Sequence, residues 1–458
     1  MRRRVKVLTV GCKANFADSA SIAREAVSAG FDVVPPTEPA DVVIVNSCTV
    51  THRADRDSRA LVRRARRDHP DASIVMTGCY AESAPEAKAS IPEADHWIGA
   101  GNPGALKSLL EEISGECRLN EPGGDYAAGK PRLSEFAADL LLGHRRTFLK
   151  IQDGCDFACA YCIVPLVRGG NRSLPENEIV EKAAAAERDG ARELVLTGIH
   201  IGLYGADRGE RDGLADLVRL LLRETSLARL RLSSVEPMEV TDSLISAIAG
   251  SPRICRHLHI PLQSGCDRIL SRMRRPYDAS RFSETAARAA GILPGVRIGA
   301  DVIAGFPGET REDFDETVRF LSGVPVNYLH VFPYSQRAGT ESAKWKDDVS
   351  PREKKERVAE LLRVDAEKRA GFLKAQAGKE LEVLAETAHP GRGELSGYSG
   401  NYLEVAFPGD RSGIGGLFRV RAGRIRGKCL IGERMDMTSD PLHPMQARSG
   451  KVLRRGPE

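Results

Sequence analysis

The chain has 458 residues, which at roughly 100 to 200 per domain implies two to four domains, each with room for its own core. Its 41% hydrophobic and 28% charged residues, 44 glycines and 25 prolines exclude collagen-like, disordered and small disulfide-knotted chains. Lys and Arg outnumber Asp and Glu by 67 to 63, and a net charge of +4 does not by itself announce a nucleic-acid partner. The apolar run 5–10 is interrupted by Lys6 and too short for a signal peptide, and no segment reaches the roughly 18 apolar residues of a membrane span. The chain is expected to be cytoplasmic and to have no membrane partner. Its ten cysteines are then expected to serve metal binding or redox chemistry rather than disulfides.

The first hundred residues alternate short apolar runs with helical patterns: 5–10, then a helix near Asp18 to Ala29; 42–45, then Arg53 to Asp68; 73–76, then Pro85 to Ser90. This βαβ alternation predicts a parallel sheet. The helix 53–68 places Ala54, Leu61 and Ala65 on one stripe and leaves Arg56, Arg63, Arg66 and Arg67 on a basic face. The segment 99–104 fits G-x-G-x-x-G, but no strand follows it, so Gly99 and Gly101 read as a turn with Pro103 starting a helix. Periodicity then dissolves into Gly, Pro and mixed charge, which predicts a linker over 114–146 with one short helix.

From Thr147 the alternation resumes with six strand candidates, at 148–152, 193–198, 229–234, 257–263, 296–305 and 327–335. Six βα units over 147–376 predict an incomplete (βα)6 barrel with its chemistry at strand C-terminal ends. A charged helix over 351–376 closes this region. Five short strands with Gly-rich turns then predict a small all-β barrel over 377–440, followed by a basic tail over 441–458.

The sharpest chemical signal is Cys155, Cys159 and Cys162, spaced C-x3-C-x2-C just after the first barrel strand. Three thiolates on one loop can each hold an iron of a 4Fe-4S cube and leave the fourth iron open to a ligand. Zinc is the competing metal, but a structural zinc site asks for a fourth protein ligand that is missing locally. A second signal emerges when the βα pattern is laid over the remaining cysteines: Cys12, Cys48 and Cys79 each follow a parallel strand, where loops converge on one crevice. The bland alternative for each is a small buried hydrophobe, which is how Cys117, Cys255, Cys266 and Cys429 are read.

Together these pieces resemble the methylthiotransferases of the radical S-adenosylmethionine superfamily. The likeness rests on GCKAN (11–15), NSCTVT (46–51), TGCYAE (77–82), LKIQDGC (149–155), IVPLVRGGNRS (163–173), SSVEP (233–237), HIPLQSG (259–265) and DVIAGFPGET (301–310). Around the second barrel cysteine the chain has Ala158 and Ala160, where the family often has an aromatic residue and Ser. The resemblance implies an N-terminal three-cysteine domain (1–113), the radical barrel and a C-terminal TRAM RNA-binding domain. It also implies two 4Fe-4S clusters, held by Cys12, Cys48 and Cys79 and by Cys155, Cys159 and Cys162. S-adenosylmethionine is implied at the open iron of the barrel cluster, with Thr197, Gly198, Ser234, Glu236 and Gln263 as its expected contacts. One S-adenosylmethionine would methylate sulfur held at the N-terminal cluster and a second would supply a 5′-deoxyadenosyl radical.

Basic clusters favour RNA over protein as the substrate. Arg419, Arg421, Arg424, Arg426 and Lys428 alternate without an acid among them, and with the arginine helix 53–68 and Lys451, Arg454 and Arg455 they are positioned to track a phosphate backbone. The alternative for each cluster is an ordinary solvated face. Arg168 and Arg172 are candidates for binding phosphate or carboxylate. Segments 11–15, 150–156 and 197–205 look like the branch that acts on N6-threonylcarbamoyladenosine in tRNA. A branch acting on isopentenyladenosine or on a ribosomal protein is the alternative, and a non-enzymatic metal-containing RNA-binding protein is the alternative of another class. A reductant such as flavodoxin or ferredoxin and a sulfur donor are the further partners the family implies.

Overall fold

A computed structural model of the protein describes residues 3–100, 102–114 and 135–435. Cys117, Gly101, most of the expected linker and the basic tail with Lys451, Arg454 and Arg455 lie outside them.

The first region is a five-stranded parallel sheet of β1 (Arg4–Thr9), β2 (Asp32–Val33), β3 (Val42–Ser47), β4 (Ser73–Gly78) and β5 (His96–Gly99), in the order β2-β1-β3-β4-β5. Every residue of β3 is buried, as a central parallel strand covered on both faces requires. Helices α1 (Lys13–Ser28), α4 (Pro103–Ser114) and α5 (Glu135–Leu141) pack on one face; α2 (His52–Asp68) and α3 (Cys79–Ser83) pack on the other. Two expectations change. Gly99 is not in a free turn: it ends β5, where a Cβ would come within 1.9 Å of Glu82. The inner stripe of α2 is Asp55, Ser58, Val62 and Ala65 rather than Ala54, Leu61 and Ala65, because polar positions on this helix have buried partners. Its outer arginines are also not free charges, since Arg63 pairs with Glu93, Arg64 with Asp68 and Arg66 with Asp95.

The second region places β6 (Thr147–Lys150), β9 (Glu193–Thr197), β10 (Arg229–Leu232), β11 (His257–His259), β12 (Arg297–Ala304) and β13 (Tyr328–Pro333) in parallel, with a small ladder of β7 (Gln152–Asp153) and β8 (Arg172–Ser173) beside them. Bridges Leu230–Ile254 and Ser234–His259 join the two three-stranded sheets into one six-stranded arc. Helices α6 (Val164–Arg168), α7 (Glu176–Arg188), α8 (Gly213–Glu224), α9 (Asp242–Ala249), α10 (Asp267–Arg272), α11 (Ala279–Ile292), α12 (Arg311–Gly323) and α13 (Pro351–Gln376) follow the strands. Outward strand residues such as Leu194, Leu196, Leu230 and Leu258 share one apolar core with these helices. Within the described residues β6 and β13 are not paired with each other, and α1 of the first region packs over β6 through Phe16 and Ala17 against Phe148 and Val195.

The third region is a closed five-stranded barrel of β14 (Glu380–His389), β15 (Glu394–Ser399), β16 (Glu404–Pro408), β17 (Leu417–Arg426) and β18 (Cys429–Arg434). The expected fourth and fifth strands divide differently: β17 runs on through the arginines, with a bulge between Ala422 and Ile425, and the turn comes only at Gly427. The bulge adds one residue, so Arg424 and Arg426 return to the outer face already held by Arg419 and Arg421. Acids on β14 and β15 meet this row: Glu380 pairs with Arg419 and Arg421, and Glu394 with Arg426. The small barrel is also tightly docked. Fully buried Arg231 donates to the carbonyls of Ser399 and Gly400 (3.1 Å each), and Arg229 to those of Glu382 (3.2 Å) and Tyr398 (3.0 Å). Tyr402, in the left-handed region at φ 62°, inserts its ring against Arg231. Among the described residues no helix is long and apolar enough to cross a membrane.

Candidate active site between two cysteine triads

Cys12 caps α1 after β1, Cys48 follows β3 and Cys79 opens α3 after β4, so three adjacent parallel strands deliver one cysteine each. The loops approach so closely that a Cβ on Gly11, whose φ is 123°, would lie 2.7 Å from the Cβ of Cys48. Asn15 ties them, donating to the carbonyls of Val10 (2.8 Å) and Ser47 (3.0 Å), while its Oδ1 lies 3.9 Å from Cys12 Sγ and 4.0 Å from Cys79 Sγ. Ser58 of α2 holds the Cys48 loop by accepting from the Cys48 N–H (3.1 Å) and donating to its carbonyl (3.2 Å). Burial pushes the Cys48 thiol up to about 12.

Cys155, Cys159 and Cys162 lie on the loop after β7, which folds against the Gly169–Gly170 turn: a Cβ on Gly154 would be 1.9 Å from the Gly170 carbonyl oxygen. His200 Nδ1 is 3.3 Å from Cys155 Sγ, and its Nε2 is 2.7 Å from Glu239 Oε1. Burial opposes the imidazolium, but the neighbouring Cys155, Glu239 and Glu236 prevail and raise His200 to about 10. Arg275 donates to Cys159 Sγ (3.1 Å) and pairs with Glu236. Phe157 sets its ring edge-on to His200 at 4.6 Å, and buried Ala160 packs with Cys266 and Met273. Burial pushes Cys162 up to about 12.

The remaining expected site residues fall around the strand ends. Thr197 ends β9, fully buried, with its Oγ1 lacking a hydrogen-bond partner. At Gly198 a Cβ would stand 2.6 Å from the Gln152 carbonyl oxygen, so backbone alone fits there. Ser234 is exposed, and Glu236 is bound to Arg275. Gln263 takes a left-handed conformation, φ 67°, that lets its N–H reach Asp301 O (2.8 Å) and its carbonyl accept from Ile303 (2.9 Å). The turn 305–309 is braced from within: Glu309 accepts from the Gly305 N–H and from Arg357.

The two triads face one another. Cys79 packs on Ile163 and Val167, immediately after Cys162. Arg168, whose side chain is 4% exposed, bridges the two regions: it donates to Cys79 Sγ (3.1 Å) and Asn15 Oδ1 (2.7 Å) and pairs with Asp18 (2.7 Å) and Asp153 (3.4 Å). Its carboxylate partners are therefore internal. Arg172 bonds instead to the carbonyls of Gly170 and Arg168. Lys150 adds a second tie to Asp18 (2.5 Å), and Arg337 reaches from beyond β13 to Thr49 O and Asp55.

The donor sets fit clusters better than single ions. Around one zinc, 2.3 Å bonds would hold sulfurs about 3.8 Å apart. Among the described residues the group whose ligand atoms gather within 4.8 Å is His259, Asp301 and His330 on the barrel wall, and neither cysteine triad is so contracted. Sequence reasoning missed His200, Glu239, Arg275 and the bridging role of Arg168. The segments holding His200 and Arg168 were visible as motifs, whereas the partners of these side chains come from distant strands.

The Radical SAM superfamily matches residues 149–321, and the family described as Uncharacterized protein family UPF0004 matches residues 4–99. Threonylcarbamoyladenosine tRNA methylthiotransferase MtaB of Bacillus subtilis (strain 168) is 36% identical over 418 residues, 90% of this chain and 92% of that one. The tRNA-2-methylthio-N(6)-dimethylallyladenosine synthase of Moorella thermoacetica is 31% identical over 446 residues, covering 95% and 99%. In fold, the chain is similar to the radical S-adenosylmethionine methyltransferase TsrM of Kitasatospora setae, with a TM-score of 0.52 at 14% identity over 75% of this chain and 74% of that one. A parallel-sheet region and a radical barrel, each presenting a cysteine triad to the other, are thus matched almost end to end by methylthiotransferases, and the chain belongs to the radical S-adenosylmethionine methylthiotransferase family.

Proposed function

We propose that the protein is a tRNA methylthiotransferase that inserts a methylthio group at C2 of N6-threonylcarbamoyladenosine, immediately 3′ of the anticodon. The observation that carries this reading is the packing of Cys79 on Ile163 and Val167, which sets a triad suited to holding sulfur beside one suited to generating a radical. The substrate is argued from the B. subtilis relative, whose name specifies threonylcarbamoyladenosine.

Cys155, Cys159 and Cys162 would hold one 4Fe-4S cluster, and Cys12, Cys48 and Cys79 the other. Bound to the barrel cluster, S-adenosylmethionine supplies one-electron cleavage of its sulfonium and hence hydrogen abstraction from the substrate carbon. The chain's own residues do the positioning. Arg275 and His200 place positive charge against Cys159 and Cys155 and stabilise thiolate ligands there. Thr197 Oγ1 is a free polar contact at the strand end, Gly198 leaves its backbone open to close approach, and Ser234 and Gln263 line the same rim. Glu236 acts through Arg275. Arg168 keeps the two triads in register across the interface.

In domain terms, residues 1–113 would form the sulfur-delivering unit, 147–376 the radical barrel and 377–440 an RNA-binding TRAM unit, joined by 114–146 and followed by a basic tail. The reaction needs a reductant such as flavodoxin or ferredoxin and a sulfur donor, in the cytoplasm where tRNA resides. Mass spectrometry of tRNA nucleosides tests the reading: a strain lacking the protein should lose the methylthiolated threonylcarbamoyladenosine and keep its unmethylthiolated form. Loss of a methylthiolated isopentenyladenosine instead would assign the other tRNA branch.

A further inference from the structure

The two relatives described above differ in substrate by a charge. A threonylcarbamoyl group ends in a carboxylate, whereas a dimethylallyl group is a hydrocarbon. An enzyme that distinguishes them needs a cation facing the reaction chamber and not already neutralised.

In a barrel of this kind the chemistry sits at the strand ends, so the inner wall is where such a cation would be placed. On that wall His330 keeps a side chain 51% exposed, Phe332 is 39% exposed and Ser234 is open, although all three sit on or beside barrel strands. Most cations around it are spent. Arg229 and Arg231 share Glu193, Arg146 pairs with Glu386 at 2.7 Å, Arg275 holds Glu236 and Arg168 holds Asp18. Arg297 lacks an acid, but it is buried over the Tyr328 ring and bonded to the Tyr402 carbonyl.

Lys13 is different. It directly follows Cys12, yet its ammonium reaches the barrel floor, 5.5 Å from the centre of the Tyr402 ring, which Arg231 and Arg146 also face at 4.7 and 5.4 Å. Burial lowers the Lys13 ammonium from its ordinary range, as do Arg231 and Arg146, while Tyr402 and Glu193 favour it; Glu193 is already bound by two arginines, so a carboxylate brought beside Lys13 would meet a cation that lacks a counter-ion. Among the described residues no carboxylate lies within ion-pair distance of Lys13.

We propose that Lys13 is the cation that recognises the carboxylate of the threonylcarbamoyl group, so that a residue neighbouring one cluster ligand selects the substrate. The inference rests on the substrate reading above. Its test uses the full chain, reconstituted anaerobically, and two anticodon stem-loop RNAs: one carrying N6-threonylcarbamoyladenosine and one whose threonyl carboxylate is a primary amide. The unsubstituted protein should bind the carboxylate RNA at least about tenfold more tightly. Lys13→Met should bind both RNAs equally, with affinity for the amide RNA unchanged, and Lys13→Arg should retain part of the preference. Should Lys13→Met not retain its iron, Lys13→Gln takes its place. Equal binding of the two RNAs by the unsubstituted protein, or a preference that survives in an iron-replete Lys13→Met, overturns the proposal. If the unsubstituted protein methylthiolates the carboxylate RNA in that second case, only the assignment of Lys13 fails. If it leaves that RNA unmodified while modifying an isopentenyladenosine RNA, the substrate reading fails and takes the proposal with it.

Discussion

The two cysteine triads reach the same end by opposite means. Cys155, Cys159 and Cys162 occupy one loop, so their convergence follows from chain connectivity, and what the tertiary structure adds is charge, from His200 and Arg275. Cys12, Cys48 and Cys79 are brought together by the order of three parallel strands and kept there by Asn15, Ser58 and the arginine that crosses from the barrel. A loop triad should therefore tolerate disturbance elsewhere, whereas a strand-end triad should be sensitive to the sheet, to the interface and to its own distant partners.

The largest effects come from removing each triad. Reconstituted protein should carry about eight iron, and either triple alanine variant about four. Replacing Cys155, Cys159 and Cys162 should abolish both 5′-deoxyadenosine and methylthiolated nucleoside. Replacing Cys12, Cys48 and Cys79 should abolish only the nucleoside while dithionite still drives 5′-deoxyadenosine formation. Repeated turnover to methylthiolated tRNA by this second variant would break the division of labour.

Next in size is Glu193→Gln, which leaves two buried arginines without their carboxylate at the barrel floor and should cost about 3 to 5 kcal/mol in urea unfolding. Burial raises the Glu193 carboxyl, but Arg229 and Arg231 hold it well below its ordinary range. Its contribution to stability is therefore present above the ordinary carboxylate range and is lost as pH falls below it. Acid unfolding in this range should become shallower in the variant. If the loop triad is self-sufficient, the folded fraction should keep its four iron.

Arg168→Met sharpens the contrast at the interface. With Arg168 gone, Asp18 and Asp153 lose a buried partner, at about 3 kcal/mol since both acids retain some solvent, and Cys79 loses its facing cation. Challenge with a chelator should then release iron from the strand-end triad before the loop triad. Equal release from both would mean that the arginine does not discriminate between them.

The smallest expected effects lie on the outer face of the small barrel. Arg419 is already paired with Glu380, whereas Arg424 has no pairing acid among the described residues. Arg424→Ala should lower the salt dependence of tRNA binding by about one unit of slope, and Arg419→Ala by less.

Much of the architecture was legible because it is periodic. The alternation of apolar runs and helices marked the first sheet, the six barrel strands and the small barrel, and the spacing of Cys155, Cys159 and Cys162 needed no structure at all. The stripe on α2 was misread by one position because amphipathicity assumes apolar residues face inward. Here Ser58 turns in to hold the Cys48 loop and Asp55 to take Arg337. The run of β17 past Ala422 was missed because Gly423 reads as a turn, whereas it sits in a bulge.

The sequence by itself determined the local pattern: which segments form strands and helices, which loop carries three thiols at C-x3-C-x2-C spacing, and which strands are followed by a cysteine. These depend on residues within a few positions of each other, where backbone geometry alone sets the outcome. Only the tertiary structure decided how charges are spent. Arg168 turned inward to Asp18 and Cys79, the arginines of β17 met Glu380 and Glu394, and Arg229 and Arg231 were consumed by Glu193, while Lys13 was left without an acid. An ion pair forms over a few ångströms of space with no regard to separation along the chain, so no local pattern in the sequence records which charges find partners.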